Sequence, residues 1–203
     1  MTESGPCPPT LVVCSVFAAE VEALWQIHWP ALRIRVVRSM LHVCPARLGE
    51  QLEAIVEEER RSGRGVVLVY GDCYVGMRQL AAQPGVVLTK GANCAELLLG
   101  RERYRRDARD GAYFLLPEWA QRGERFFAHE LGLDRANARG LMGDLHRLIV
   151  YLDTGMLPVP QEKLRAIADY CGLPWESRAT PLDCLHSAIS EALGRLDESA
   201  ITG

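Results

Sequence analysis

The chain has 203 residues, 48% hydrophobic and 24% charged, with a formal net charge of −3. That length supplies one substantial core and is short for two independent domains, and the composition is that of a soluble globular protein. The slight acidity gives no electrostatic footprint for nucleic acid or anionic lipid, and no run approaches the ~20 apolar residues that span a bilayer.

Residues 1–10 lack the basic and apolar segments of a signal peptide and read as a flexible lead-in. Residues 11–16 form an apolar run of strand type. Phe17, Val21, Leu24, Trp25 and His28 then recur at helical spacing up to Pro30. Residues 32–37 alternate like a strand, which the segment Leu41–Pro45 breaks. Leu48, Leu52, Ile55 and Val56 mark a second amphipathic helix, closed by Gly63. A third strand (66–70) precedes a weakly helical stretch (77–82), and a fourth (86–89) precedes a helix over 96–109.

Residues 112–117 read either as a short strand or as an extended lid. The stretch 118–147 is largely helical, with Trp119, Phe126, Phe127 and Leu131 as buried positions. A fifth buried strand covers 148–152. A helix capped by Gly172, an extended segment near Trp175–Arg178 and a final helix through Leu193 complete the chain. Strands that alternate with helices predict an α/β fold. It is a mainly parallel sheet with crossover helices in Rossmann-like layers, and a helical insertion follows the fourth strand. Residues 11–196 form one domain and 197–203 a C-terminal tail.

Ligands of such sheets bind outside the carboxyl ends of the strands. Those ends carry Cys14, then His42 and Cys44, then Asp72 and Cys73, then Asn93 and Cys94, then Asp153 and Thr154. Cys73 and Cys94 follow two similar apolar runs and sit in polar, glycine-containing turns where packing does not call for a thiol. Cys14 lies within an apolar strand, where cysteine often serves as a small buried hydrophobe. Cys7, Cys171, Cys184, His28 and His186 read as packing or surface residues, as do His129 and His146. Seven cysteines without an export signal predict reduced thiols in the cytoplasm. No CxxC, GxGxxG or GK[ST] motif is present, and a lone Asp153-Thr-Gly lacks the second lobe of an aspartic protease.

An ordered set of motifs resembles one bacterial and archaeal family, domain of unknown function 1638. The set is Leu41-His42-x-x-Pro45-x-x-Leu48, Tyr70-Gly71-x-Cys73, then Cys94-x-x-Leu-Leu-Leu-Gly100 with Tyr104. Tyr113 to Trp119, and His146 with Tyr151 to Gly155, are similar too. The likeness spans about residues 11–190. Two motifs depart from the family: Tyr74 replaces a glycine after Cys73, where it crowds or covers the site, and Ala92-Asn93-Cys94 stands where His-Asp-Cys is usual. Members often accompany corrinoid-dependent methyltransferase systems. The resemblance therefore implies metal binding or an accessory role in one-carbon metabolism.

Three readings follow. In the first, Cys73, Cys94 and His42 ligate a transition metal ion, zinc or iron, with Cys14 as a fourth ligand and Asp72 and Asp153 behind them. In the second, Cys73 and Cys94 act without a cofactor, as an acid/base or nucleophile pair on a small molecule. In the third, the chain is a non-catalytic partner of a larger corrinoid or methyltransferase protein. Nothing in the sequence sets an oligomeric state.

Overall fold

Short apolar runs, each stopped by a glycine, a proline or a polar turn, organise the first half of the chain. In the computed structural model, which describes residues 7–130 and 132–201, they become β1 (Thr10–Cys14), β2 (Arg33–Val37), β3 (Val66–Val69) and β4 (Val86–Leu88). All pair in parallel, in the order β2-β1-β3-β4. Every residue of β1 and β3 is buried, as expected of central parallel strands covered on both faces. The edge strand β2 keeps Arg33 and Val36 exposed.

The crossovers are α1 (Ala18–His28), α2 (Pro45–Arg61) and α3 (Met77–Ala81). Leu48, Leu52, Ile55 and Val56 form the buried stripe of α2 that their spacing predicts. The helix predicted over 96–109 is two helices, α4 (Cys94–Leu99) and α5 (Arg101–Arg109), because Gly100 adopts φ 73° between them. That left-handed value suits glycine and ends a regular helix.

The segment that reads as strand or lid is a strand, β5 (Ala112–Leu115). It pairs with β6 (Leu148–Asp153), which pairs with β7 (Trp175–Ala179), in a second all-parallel sheet. The strands are thus shared between two sheets, with helices on either side. The helical insertion holds α6 (Pro117–Arg122), a π-helical turn over Phe126–Glu130 and α7 (Arg135–Leu145). Leu131 and the side chain of His129 lie outside the described residues. α8 (Gln161–Cys171) ends at a left-handed Gly172, as predicted. α9 (Asp183–Ile201) runs on into the stretch read as a C-terminal tail.

Successive strand residues face opposite ways, and the second sheet uses this to separate two cores. Phe114, Val150 and Leu152 join the larger core built on the first sheet. Leu115, Ile149 and Tyr151 face a smaller one with Ala120, Ala138, Leu164 and Ile167. α9 then crosses back onto β3, β4 and α4. Its Leu185 and Ile189 are fully buried, each contributing about 1.5–3 kcal/mol by burial. The approach is close: a Cβ at Gly65 would lie 2.8 Å from Leu196 Cδ2.

The amino end of the first sheet holds a buried carboxylate. Glu59 of α2 is 1% exposed. It accepts hydrogen bonds from Thr10 Oγ1 at 2.9 Å, Arg35 Nη1 at 3.0 Å and Arg64 Nη1 at 3.5 Å, with Arg33 Nε at 3.8 Å. Burial alone would push its carboxyl up. The bonds from Arg35 and Thr10 and the nearby guanidiniums reverse that and hold it below the ordinary 4.5.

Candidate functional site

At the other end of the sheet, β3 runs into Tyr70 and Gly71. A Cβ at Gly71 would lie 2.5 Å from Asn93 Cα and 2.8 Å from Asn93 N. Only glycine lets the loop after β3 lie against the loop after β4 this closely. The seam is closed by Asp72 N–H donating to the Ala92 carbonyl at 3.1 Å, and by Thr89 Oγ1 donating to the Tyr70 carbonyl at 2.8 Å. Asn93 caps α4: its Oδ1 accepts from Glu96 N–H at 2.9 Å, and its Nδ2 donates to Tyr104 Oη at 2.7 Å. Cys94 is therefore the first residue of α4, and its thiol is close enough to act on that of Cys73.

His42 comes from a single 3-10 turn, Ser39–Val43, after β2. Its Nδ1 lies 2.6 Å from the Ser39 carbonyl. A carbonyl only accepts, so Nδ1 carries the proton and Nε2 is the nitrogen left to interact with Cys73. The turn is tied down on two sides. Ser39 N–H donates to Ser15 Oγ at 2.8 Å, Ser39 Oγ donates to Glu118 Oε2 at 3.0 Å, and Arg122 Nη2 donates to Ser39 Oγ at 3.1 Å. Arg122 also holds Glu118 through Nε at 3.1 Å, and it touches Met40 Sδ.

The thiols are pushed apart. The hydrogen bond from Cys94, then the bond and charge of His42, pull Cys73 from the ordinary 9.0 to about 5, against its burial. Cys94 moves well above 9.0 because it donates to Cys73 and is almost wholly buried. Burial presses His42 down, but its partnership with Cys73 outweighs that, and the imidazole is raised above 6.5. These shifts favour the thiolate of Cys73 and the protonated ring of His42, and they hold Cys94 as the thiol beside them.

These groups line a cavity of about 460 Å³, walled by Tyr104, Phe114, Trp119 and His146. That is the size and character of a small-molecule site. It lies at the carboxyl end of the first sheet, near the switch between β1 and β3, where the strand order reverses.

His42, Cys73 and Cys94 are therefore brought together. Cys14 is near their charges but fully buried and outside the cavity lining; burial above all pushes its thiol up to about 12. Asp72 stands on the rim and turns to Arg78, at 3.0 Å. Asp153 accepts from Gly155 N–H at 3.0 Å and does not line the cavity. Its neighbour Thr154 donates to the buried Glu20 carboxyl at 2.8 Å. Among the described residues, no group of three or more His, Cys, Asp or Glu side chains is placed to hold a metal ion.

Tyr74 neither crowds nor covers the thiols. Its ring lies against Gly49 and Gly76, where added Cβ atoms would come within 3.0 Å and 2.4 Å, and it is not part of the cavity wall. His146, read as structural, caps the C-terminus of α7 and lines the cavity, its ring 5.2 Å from Tyr113 and lowered by burial. Sequence reading missed Glu118 and Arg122; their i,i+4 spacing was the available signal.

Fold and site together define a parallel α/β protein with a cysteine–imidazole centre at its strand ends. The chain belongs to the family described as protein of unknown function (DUF1638), whose model matches residues 36–189. That span contains His42, Cys73, Cys94 and His146 and leaves β1 with Cys14 outside it. No curated protein and no solved structure matches the chain. Among the described residues, no helix is long and apolar enough to cross a membrane.

Proposed function

We propose that the protein is an enzyme using Cys73 as a thiolate nucleophile on a small molecule, with Cys94 as its proton donor. The observation that carries this reading is that His42, Cys73 and Cys94 line one cavity, where the first and last act on the Cys73 thiol. Both thiols line the same cavity and act on each other. They suit attack and protonation from one side, not exchange across two faces.

In an addition to a polarised double bond, Cys73 Sγ forms the S–C bond and the displaced electron pair moves to the far substrate atom. Cys94 Sγ–H protonates that atom. The negative charge passes to Cys94, which recovers its proton from solvent through the cavity. Ser39, Glu118 and Arg122 position His42 without touching substrate. The aromatic wall favours a largely apolar reacting group. The free cysteines accord with a reducing cytoplasm.

Alkylation with iodoacetamide at pH 6, followed by peptide mass mapping, tests this. Cys73 should react much faster than the exposed Cys7 and Cys44, without a chelator, and His42→Ala should slow it. If Cys73 reacts no faster than Cys7 and Cys44, the nucleophile reading is lost. Protection of Cys73 until a chelator is added would establish the metal-ligand reading in its place.

A further inference from the structure

A second cavity, of about 600 Å³, lies between the β4–α4 loop, the start of α5 and α9. Five cationic side chains line it, Arg78, Lys90, Arg101, Arg105 and Arg195, against two carboxylates, Asp72 and Glu96. In a chain of net charge −3 this is a local concentration of the opposite sign. Some of the charge is already used: Arg78 holds Asp72, Lys90 pairs with Glu191, and Glu96 accepts from Ala92 N–H at 3.3 Å.

The remaining guanidiniums are less satisfied. Arg195 is fixed by donating Nη2 to the Leu88 carbonyl at 2.7 Å, while its Nε is buried without a partner among the described residues. Arg101 and Arg105, one turn apart on α5, are exposed and have no carboxylate partner among the described residues. Gly91 and Gly100 present backbone without side chains in the same wall, and α5 starts there with no side-chain cap.

We propose that this cavity binds the phosphate end of an anionic small molecule, with Arg101 and Arg105 as the guanidinium forks that grip it. Planar forks match phosphate oxygens in pairs, and the excess of cations matches a group of more than one negative charge. The start of α5, which no side chain caps, adds to the same preference. Asp72 and Ala92 line both cavities, so the bound phosphate lies one loop away from Cys73. The inference stands on the arginine cavity and not on the thiol chemistry.

Calorimetric titration of inorganic pyrophosphate into the full chain at low ionic strength tests it. Saturable binding at one site per chain is expected, weakened by added salt and by at least ~10-fold in Arg101→Gln/Arg105→Gln. Cys73→Ser should bind as the wild type does. Both arginines are exposed, and an unchanged melting temperature shows that the double variant is folded. Absence of saturable heat overturns the proposal. So does equal affinity in the double variant, or an equal loss in Arg47→Gln on α2, outside the cavity. Binding that persists while Cys73 shows ordinary reactivity would sink the nucleophile reading alone.

Discussion

At the amino end of the first sheet the Glu59 carboxylate meets three guanidiniums and a hydroxyl; at the carboxyl end the Cys73 thiolate meets one imidazole and one thiol. Both are ionised groups set against the same core. Glu59 is saturated and closed off, so its charge serves folding. Cys73 keeps few partners and opens on a cavity, so its charge is free to meet a ligand. Burial alone does not separate a structural ion from a reactive one; the number of partners and the access do.

The largest effect should come from breaking the saturated end. Glu59→Ala leaves Arg33 and Arg64 without their carboxylate and Arg35 with Glu58 alone, and should cost about 3–5 kcal/mol by urea denaturation, with the Cys73 alkylation rate unchanged. The depressed carboxyl contributes stability that is complete above its ordinary 4.5 and is lost as pH falls through its lower folded value. The variant should therefore lose less stability on acidification than the wild type.

Gly71→Val should cost less, about 1–3 kcal/mol, yet damage the carboxyl end more. The added carbon meets Asn93 backbone, which has no flexible end to yield. Separation of the two loops should abolish the fast alkylation of Cys73. A smaller and cleaner change is His42→Ala: with one of the groups that lower the Cys73 thiol gone, the pH midpoint of its alkylation should rise by about 1–3 units with little loss of stability. Asp72→Asn breaks only an exposed pair with Arg78 and should shift stability by about 0–1 kcal/mol. A large loss of Cys73 reactivity in that variant would place Asp72 in the thiolate's environment.

The alternation of strands and helices was legible because buried strands and amphipathic helices have different periods. The repeated strand–turn–cysteine pattern likewise placed Cys73 and Cys94 at strand ends. What the pattern could not carry was distance between turns remote in sequence. Whether 112–117 is a strand or a lid depends on its pairing with β6, and the division into two sheets depends on where α4 to α7 pack. His146 looked like one more residue of a helical stretch until α7 ended at it against the cavity. Tyr74 looked obstructive because its backbone neighbours Cys73; the bare surfaces of Gly49 and Gly76 take its ring the other way.

The return of α9 to β3, β4 and α4 has a consequence for biosynthesis. A ribosome releases β3 and β4 long before α9, and the covering helix emerges only after the whole second sheet has been made. Until then the nascent first sheet carries an uncovered apolar face beside the Cys73 loop. The two sheets therefore interlock like a strap through a buckle: a cut between them should yield two aggregation-prone pieces in place of two working halves.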